Sequence, residues 1–312
     1  MNAEREPNLE VQLGGLRLRN PVTVASGTFG FGEEFKDLFD LNLLGAVVTK
    51  TITPEPRLGN SPPRLAETCC GLMNSIGLQN PGLEAFLEQK MPFLRRLTCP
   101  VIVSIAGRTA DDFAGLAERL EGQEGISALE MNLSCPNVKE GGRVFATDPR
   151  LLAEVATKVR RLTSLPLIAK LSPLVTEMVG LARAAVDAGS DALAIANTFP
   201  ALAIDIKTRR PRLGAGSGGL SGSAIRPIVV NQVWQVHQAL PSVPIVAMGG
   251  ITCAEDALEY IIAGASGVAV GTSLFSDPTT PIKVLSGIED FCRCNGISAI
   301  SDLVGTLVPP AT

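Results

Sequence analysis

Short runs of β-branched and small apolar residues alternate along this chain with longer stretches whose apolar positions recur at helical spacing. The runs are Val22–Ala25, Ala46–Thr51, Val101–Ile105, Ala128–Leu133, Leu167–Leu171, Ala192–Asn197, Ile245–Met248 and Gly267–Val270. Between them lie helical candidates at Asp111–Leu120, Pro149–Leu162, Thr176–Ala188, Ile225–Leu240 and Ala254–Ala263, several opened by Asp, Ser or Thr caps. Repeated β-α units of this kind build a parallel sheet, and eight of them predict an α/β fold, the (β/α)8 TIM barrel. Ahead of the first run, Leu9–Leu18 with Gly14-Gly15 at its centre predicts a small hairpin covering the barrel floor.

Two connections exceed the usual βα loop, Thr53–Pro81 and Phe199–Ser221, and a third, Pro136–Thr147, carries Gly141-Gly142 as a possible lid hinge. All three follow strand C-termini, the face where barrels place their active sites. No linker or repeat divides the chain, so residues 1–312 are expected to form a single domain. A content of 46% hydrophobic and only 19% charged residues over 312 positions fits one large domain with a deep core.

The formal charge of −4 gives no basic footprint for nucleic acid or an anionic membrane. No apolar run approaches a membrane span and the first residues lack a signal h-region, so a cytoplasmic location is expected. The seven cysteines include no C-x-x-C pair, which argues against a zinc site or an iron–sulfur cluster held by this chain. The expected metal content is none.

The strand ends are polar where a purely structural core would be apolar: Ser26, Lys50-Thr51, Ser104, Asn132, Lys170 and Asn197-Thr198. A lysine inside an apolar strand needs a partner. An acidic neighbour would suffice, but a bound anionic or electron-accepting cofactor explains Lys50 and Lys170 together better. Gly249-Gly250 ends the seventh run and Gly271-Thr272 the eighth, the loops at which barrels often bind phosphate. With Gly222 they offer a three-part cradle. Gly214–Gly219 matches G-x-G-x-x-G, but it follows Arg209-Arg210-Pro211-Arg212 rather than a strand and reads as flexible loop. Just past the fourth run, Asn132-Leu133-Ser134-Cys135-Pro136-Asn137 sets a thiol between carboxamides, a placement that suits chemistry better than an inert buried cysteine.

Lys50-Thr51, Asn74 to Gly82, Asn132 to Asn137, Asn197-Thr198, Gly249-Gly250 and Gly271-Thr272 together resemble the dihydroorotate dehydrogenases, from about Leu9 to Val308. Pro63–Thr68 and the Ile-Gly-Leu-Gln-Asn run are most similar to the class 1B catalytic subunit. The resemblance implies an FMN enzyme oxidising dihydroorotate to orotate in pyrimidine biosynthesis. It makes Cys135 the base for the C5 proton while hydride leaves C6 for the flavin N5. It assigns Asn74, Asn132, Asn197 and Thr198 to the pyrimidine, and the backbone from Ser75 through Ile76 and Gly77 to Leu78 to the substrate carboxylate and ring. Lys50 bridges flavin and substrate, and Lys170 stabilises the reduced flavin. Ser26, Thr51, Ser104, Asn132, Ala196, Gly222, Gly249, Gly250, Gly271 and Thr272 complete the FMN site.

Ser104 stands where many relatives have Asn, Ser223 where Pro usually follows the glycine, and Ala146 where Gly is common. Ser104 is the consequential departure, because it shortens a side chain beside the flavin. The resemblance also implies a partner subunit carrying FAD and a 2Fe-2S cluster that passes electrons to NAD⁺, and a homodimer core within a heterotetramer. The alternatives are a fumarate-linked class 1A enzyme and a flavin-binding assembly subunit without turnover. Asn137 with Val138 fits the dihydroorotate type better than a uracil-reducing flavin barrel.

Overall fold

The computed structural model describes residues 6–133, 139–140, 143–144 and 147–308. Eight strands form its centre: β1 Val22–Val24, β2 Val47–Val48, β3 Val101–Ile105, β4 Ala128–Asn132, β5 Leu167–Lys170, β6 Ala192–Ile195, β7 Ile245–Ala247 and β8 Gly267–Val270. They pair in parallel in the order β1-β8-β7-β6-β5-β4-β3-β2. A parallel bridge from Thr23 to Ala46 joins β1 to the chain entering β2, and the Gly45 N–H donates to the Val22 carbonyl at 2.8 Å. The expected (β/α)8 barrel is therefore present. β3 and β8 end with their apolar runs and the other six strands stop one to three residues short, where the chain leaves the ladder at the barrel mouth.

Every residue of β3 and β4 is buried, including Ser104 and Glu130, as expected for strands covered on both sides. Outside them pack Ala110–Leu120, Pro149–Arg160, Met178–Asp187, Arg226–Ala239 and Ala254–Ala263, close to the expected helices. The first opens with a reciprocal capping box, Thr109 accepting from the Asp112 N–H and Asp112 accepting from the Thr109 N–H. The helix Thr280–Cys294 and the helical residues 83–94 were not expected from the sequence. Gly287 sits in the middle of the former and blurs its pattern. A Cβ there would lie 2.5 Å from the Ala254 Cβ, so the glycine is what lets these helices approach.

The hairpin is confirmed as Val11–Leu13 paired with Leu16–Leu18, its four apolar side chains buried. Its turn lies against Pro166 and Asp191, which precede β5 and β6, and so covers the N-terminal end of the barrel.

The two long connections differ from the expectation of loops. Their strands Phe199–Ala201, Gly218–Ser221, Gly71–Asn74 and Leu65–Thr68 pair in that order as a four-stranded antiparallel sheet over the mouth. This corrects in part the reading of Gly214–Gly219 as flexible loop: Gly218 and Gly219 lie in a strand, and residues 214–217 form the turn before it. A Cβ on Gly218 would sit 2.4 Å from the Asn74 carbonyl oxygen, and one on Gly219 would sit 1.9 Å from Thr198 Oγ1. Glycine is used there for close approach between strands.

Candidate active site

Inside the barrel mouth, five buried polar side chains and Ser26 form a continuous relay of hydrogen bonds and one ion pair. The Asn132 amide donates to Thr51 Oγ1 at 3.2 Å, and the hydroxyls of Thr51 and Ser104 meet at 2.9 Å. Ser104 then donates to Glu130 Oε1 at 2.8 Å, while Lys170 Nζ lies 3.7 Å from the same oxygen and donates to Ser26 Oγ at 2.8 Å. The relay draws on β3, β4 and β5 and on the residues just past β1 and β2. Two-residue periodicity puts Glu130 and Asn132 on the same face of β4, toward the barrel interior.

Lys170 therefore has the acidic neighbour that the sequence left open. Lys50 has none: no carboxylate among the described residues lies within ion-pair distance of it. Burial, and then the charge of Lys170, lowers its pKa from the ordinary lysine value. Its amino group faces Gly27, where an added Cβ would stand 3.4 Å from Nζ. With Lys170 paired to Glu130 and Lys50 unpaired among the described residues, the mouth carries excess positive charge, which suits an anionic occupant.

The loops after β7 and β8 meet the Gly222 turn. Thr272 and Ser221 share a hydroxyl–hydroxyl hydrogen bond of 2.7 Å, and Ser273 Oγ donates to the Ile251 carbonyl at 2.9 Å. A Cβ on Gly250 would lie 2.8 Å from the Gly222 carbonyl oxygen and 2.9 Å from the Ser223 Cα. Gly222 and Gly250 have φ of 104° and 69°, values that favour glycine. Among the described residues, the N–H groups of Gly222, Gly249, Gly250 and Gly271 donate to no backbone carbonyl. Thr272 opens a short 3-10 turn, and Gly222 precedes the turn leading into helix Arg226–Ala239. Unused N–H groups on three adjoining turns are what a phosphate group requires, so these residues fit the phosphate of FMN. Behind them Tyr260 donates to the Gly249 carbonyl at 2.7 Å, and Arg226 pairs with Asp256 and Glu259. Ala196, just past β6, is buried, and its N–H donates to the Met248 carbonyl.

On the covering sheet, the Asn74 amide donates to the Gly219 carbonyl at 3.2 Å and Thr198 packs on the Gly219 Cα, so these two residues are neighbours. The Thr198 N–H donates to Asn197 Oδ1 at 2.7 Å. Ser75 to Leu78 is a pinned segment. Asn60 donates to Ser75 Oγ at 2.8 Å, and Ser75 N–H donates to the Arg64 carbonyl, also at 2.8 Å. The Ile76 carbonyl accepts from Asn60 N–H at 3.0 Å. Gly77 and Leu78 both have positive φ, 72° and 54°. Cys135 and its neighbours Ser134, Pro136, Asn137 and Val138 lie outside the described residues, as do Gly141, Gly142 and Ala146.

The family model described as dihydroorotate dehydrogenase matches residues 8–292. The chain belongs to the dihydroorotate dehydrogenase family. It is accordingly an oxidoreductase. A protein of Geotalea daltonii is 51% identical over 302 residues, covering 97% of this chain and 99% of its own length. Another, of Desulforudis audaxviator, is 53% identical over 295 residues, with 95% and 96% covered. A third, of Desulforamulus reducens, is 50% identical over 298 residues. All three carry the name dihydroorotate dehydrogenase B (NAD(+)), catalytic subunit. The resemblance to class 1B read from the motifs agrees with these relatives.

Glu130 and Tyr260 are the site-building residues that the sequence reading missed. Glu130 carried a usable signal, being an acid two positions before Asn132 inside an otherwise apolar strand. Tyr260, on helix Ala254–Ala263, carried none.

Proposed function

We propose that the chain, acting as a single domain in the cytoplasm, oxidises dihydroorotate to orotate in pyrimidine biosynthesis with FMN as its cofactor. The observation that carries this reading is the union, on one barrel face, of the electropositive relay with the unused N–H groups of the Gly222, Gly249-Gly250 and Gly271-Thr272 turns. Bound FMN would supply the acceptor for the hydride from C6 of the substrate.

The residues divide the remaining work. Gly222, Gly249, Gly250, Gly271 and Thr272 hold the phosphate through backbone N–H groups. Ser26, Thr51, Ser104, Asn132, Lys170 and Ala196 form the floor and wall of the ring site. The Lys170 ammonium, fixed by Glu130 and Ser26, places positive charge where negative charge develops. Lys50, with no carboxylate partner among the described residues, serves both cofactor and substrate. Asn74, Asn132, Asn197 and Thr198 orient the pyrimidine, because a carboxamide offers a donor and an acceptor to a ring presenting both. Ser75, Ile76, Gly77 and Leu78 meet its carboxylate side. Cys135 takes the C5 proton as general base; an ordinary thiol, with a pKa of about 8.5, is within reach of that role near neutral pH. Two chains form a homodimer core within a heterotetramer, and a partner subunit with FAD and a 2Fe-2S cluster passes the electrons to NAD⁺.

The test is anaerobic. Dihydroorotate added to the purified chain should bleach its flavin spectrum. NAD⁺ should restore it only with the partner subunit present, and fumarate should not restore it. Rapid reoxidation by fumarate with the chain alone would assign it to the fumarate-linked type. A yellow protein that never bleaches would leave a flavin-binding subunit without turnover.

A further inference from the structure

Strands Leu65–Thr68 and Gly71–Asn74 of the covering sheet are joined by two residues, Cys69 and Cys70. The register pairs Thr68 with Gly71, so the two cysteines occupy the two central positions of the turn. Both are exposed free thiols, set side by side at the tip of the turn.

This turn is packed directly on the phosphate cradle. The Cys70 carbonyl accepts the Ala224 N–H at 3.2 Å. A Cβ on Gly222 would lie 2.5 Å from the Gly71 Cα and 3.0 Å from the Cys70 carbonyl oxygen, and one on Gly71 would lie 1.9 Å from the Ser221 carbonyl oxygen. The backbone around Cys70 therefore cannot change shape without moving the segment from Ser221 to Ala224.

We propose that Cys69 and Cys70 form a reversible dithiol–disulfide site, oxidised by hydrogen peroxide, whose oxidised form loosens the Gly222 arm of the phosphate cradle. The dithiol half stands on the turn alone. The cradle half rests on the FMN reading above.

The chemistry balances. Sulfur of Cys69 attacks one peroxide oxygen, the O–O bond breaks, water leaves and a sulfenic acid remains on Cys69. Sulfur of Cys70 then attacks Cys69 sulfur, the S–O bond breaks, a second water leaves and the disulfide forms. The two sulfurs together give up two electrons, and the peroxide is reduced to water. The neighbouring Cys69 raises the Cys70 pKa, which lowers its thiolate fraction and disfavours Cys70 as the first nucleophile.

Adjacent residues across a trans peptide have Cα atoms about 3.8 Å apart. Ordinary disulfides span roughly 4.4–6.8 Å, so this one would be strained. Strain distorts the turn and makes the bond easy for cellular thiols to reduce, as a reversible site requires. Thiol pairs of this transient kind are the usual form of disulfide in a reducing compartment.

The experiment treats the full chain, purified with its flavin, with hydrogen peroxide and then alkylates it. Mass spectrometry should find the peptide spanning Cys69 and Cys70 lighter by two hydrogens, unalkylated, and restored by glutathione. Flavin retention is read in place of turnover, because Cys135 also oxidises. Oxidised wild type should hold FMN about tenfold more weakly, a change of about 1.4 kcal/mol. Cys69→Ser and Cys70→Ser should each hold it equally well before and after peroxide. A peptide still alkylated at both cysteines after the other thiols have oxidised would overturn the dithiol site. A disulfide that forms without weakening FMN retention would overturn its coupling to the cradle. A chain that binds no FMN even when reduced would overturn that coupling together with the function, while the mass measurement still decides the dithiol.

Discussion

Removing the Glu130 carboxylate tests the interior of the barrel mouth most sharply. Glu130 and Lys170 are both about 4% exposed at their side chains, and their charged atoms stand 3.7 Å apart. At an effective dielectric constant of about 20 that separation corresponds to roughly 4.5 kcal/mol of attraction. Desolvation of both ions offsets much of this in the intact pair, so the pair itself adds little net stability. Glu130→Ala, however, leaves the Lys170 ammonium buried without a countercharge and deprives Ser104 of its acceptor. The expected loss is about 3–5 kcal/mol, read by urea denaturation of the flavin-free chain at neutral pH. The double variant Glu130→Leu with Lys170→Met should recover most of that loss, since it removes both buried charges. A single variant that loses less than about 1 kcal/mol, or a double variant no more stable than the single, would refute this account of the relay.

Gly219→Ala should strain the contact with Thr198 and cost about 1–3 kcal/mol of local packing. It should raise KM for dihydroorotate more than it lowers the melting temperature, which steady-state kinetics and a thermal melt together will show. Tyr260→Phe removes the hydrogen bond to the Gly249 carbonyl, a net effect of about 1 kcal/mol. Quenching of flavin fluorescence should accordingly report an FMN Kd about fivefold higher. Burial, then Lys170, depresses the Lys50 pKa below 10.5, so the unfolded chain binds that proton more tightly than the folded one. Stability of the flavin-free protein should therefore rise with pH from the depressed value up to 10.5, and a Lys50→Met variant should lack this rise when the two denaturation series are compared. Desolvation pushes the Cys99 thiol up to about 11. It should stay unalkylated at pH 8, about three decades below that value, while Cys69 reacts.

The barrel was legible because strands buried on both faces read as unbroken apolar runs, against which Lys170, Asn132 and Ser104 stand out. The phosphate turns were legible because Gly249-Gly250 and Gly271-Thr272 stand just past the ends of the seventh and eighth strands, where glycine lets backbone N–H groups approach an anion. The pairing of Glu130 with Lys170 was not, since it depends on how β4 and β5 are registered, and the ladder sets Lys170 beside Asn132. The covering sheet was hidden for two reasons. Asn74 and Gly219 are 145 residues apart, and the glycines at positions 218 and 219 lower strand propensity. Only the close approach of Gly218 to the Asn74 carbonyl oxygen and of Gly219 to Thr198 explains them. Cys135 lies outside the described residues, so its role rests on its sequence neighbours and on the family.

In the proposed function, the three glycine turns and the charged relay together make one flavin-phosphate site. The most direct measurement compares FMN with riboflavin, which lacks the phosphate, by fluorescence titration of the flavin-free chain. FMN should bind at least about a hundredfold more tightly, roughly 2.7 kcal/mol or more, and Gly250→Ala should erase most of the difference. Equal affinities for FMN and riboflavin would contradict the phosphate cradle and with it the assignment of this barrel face.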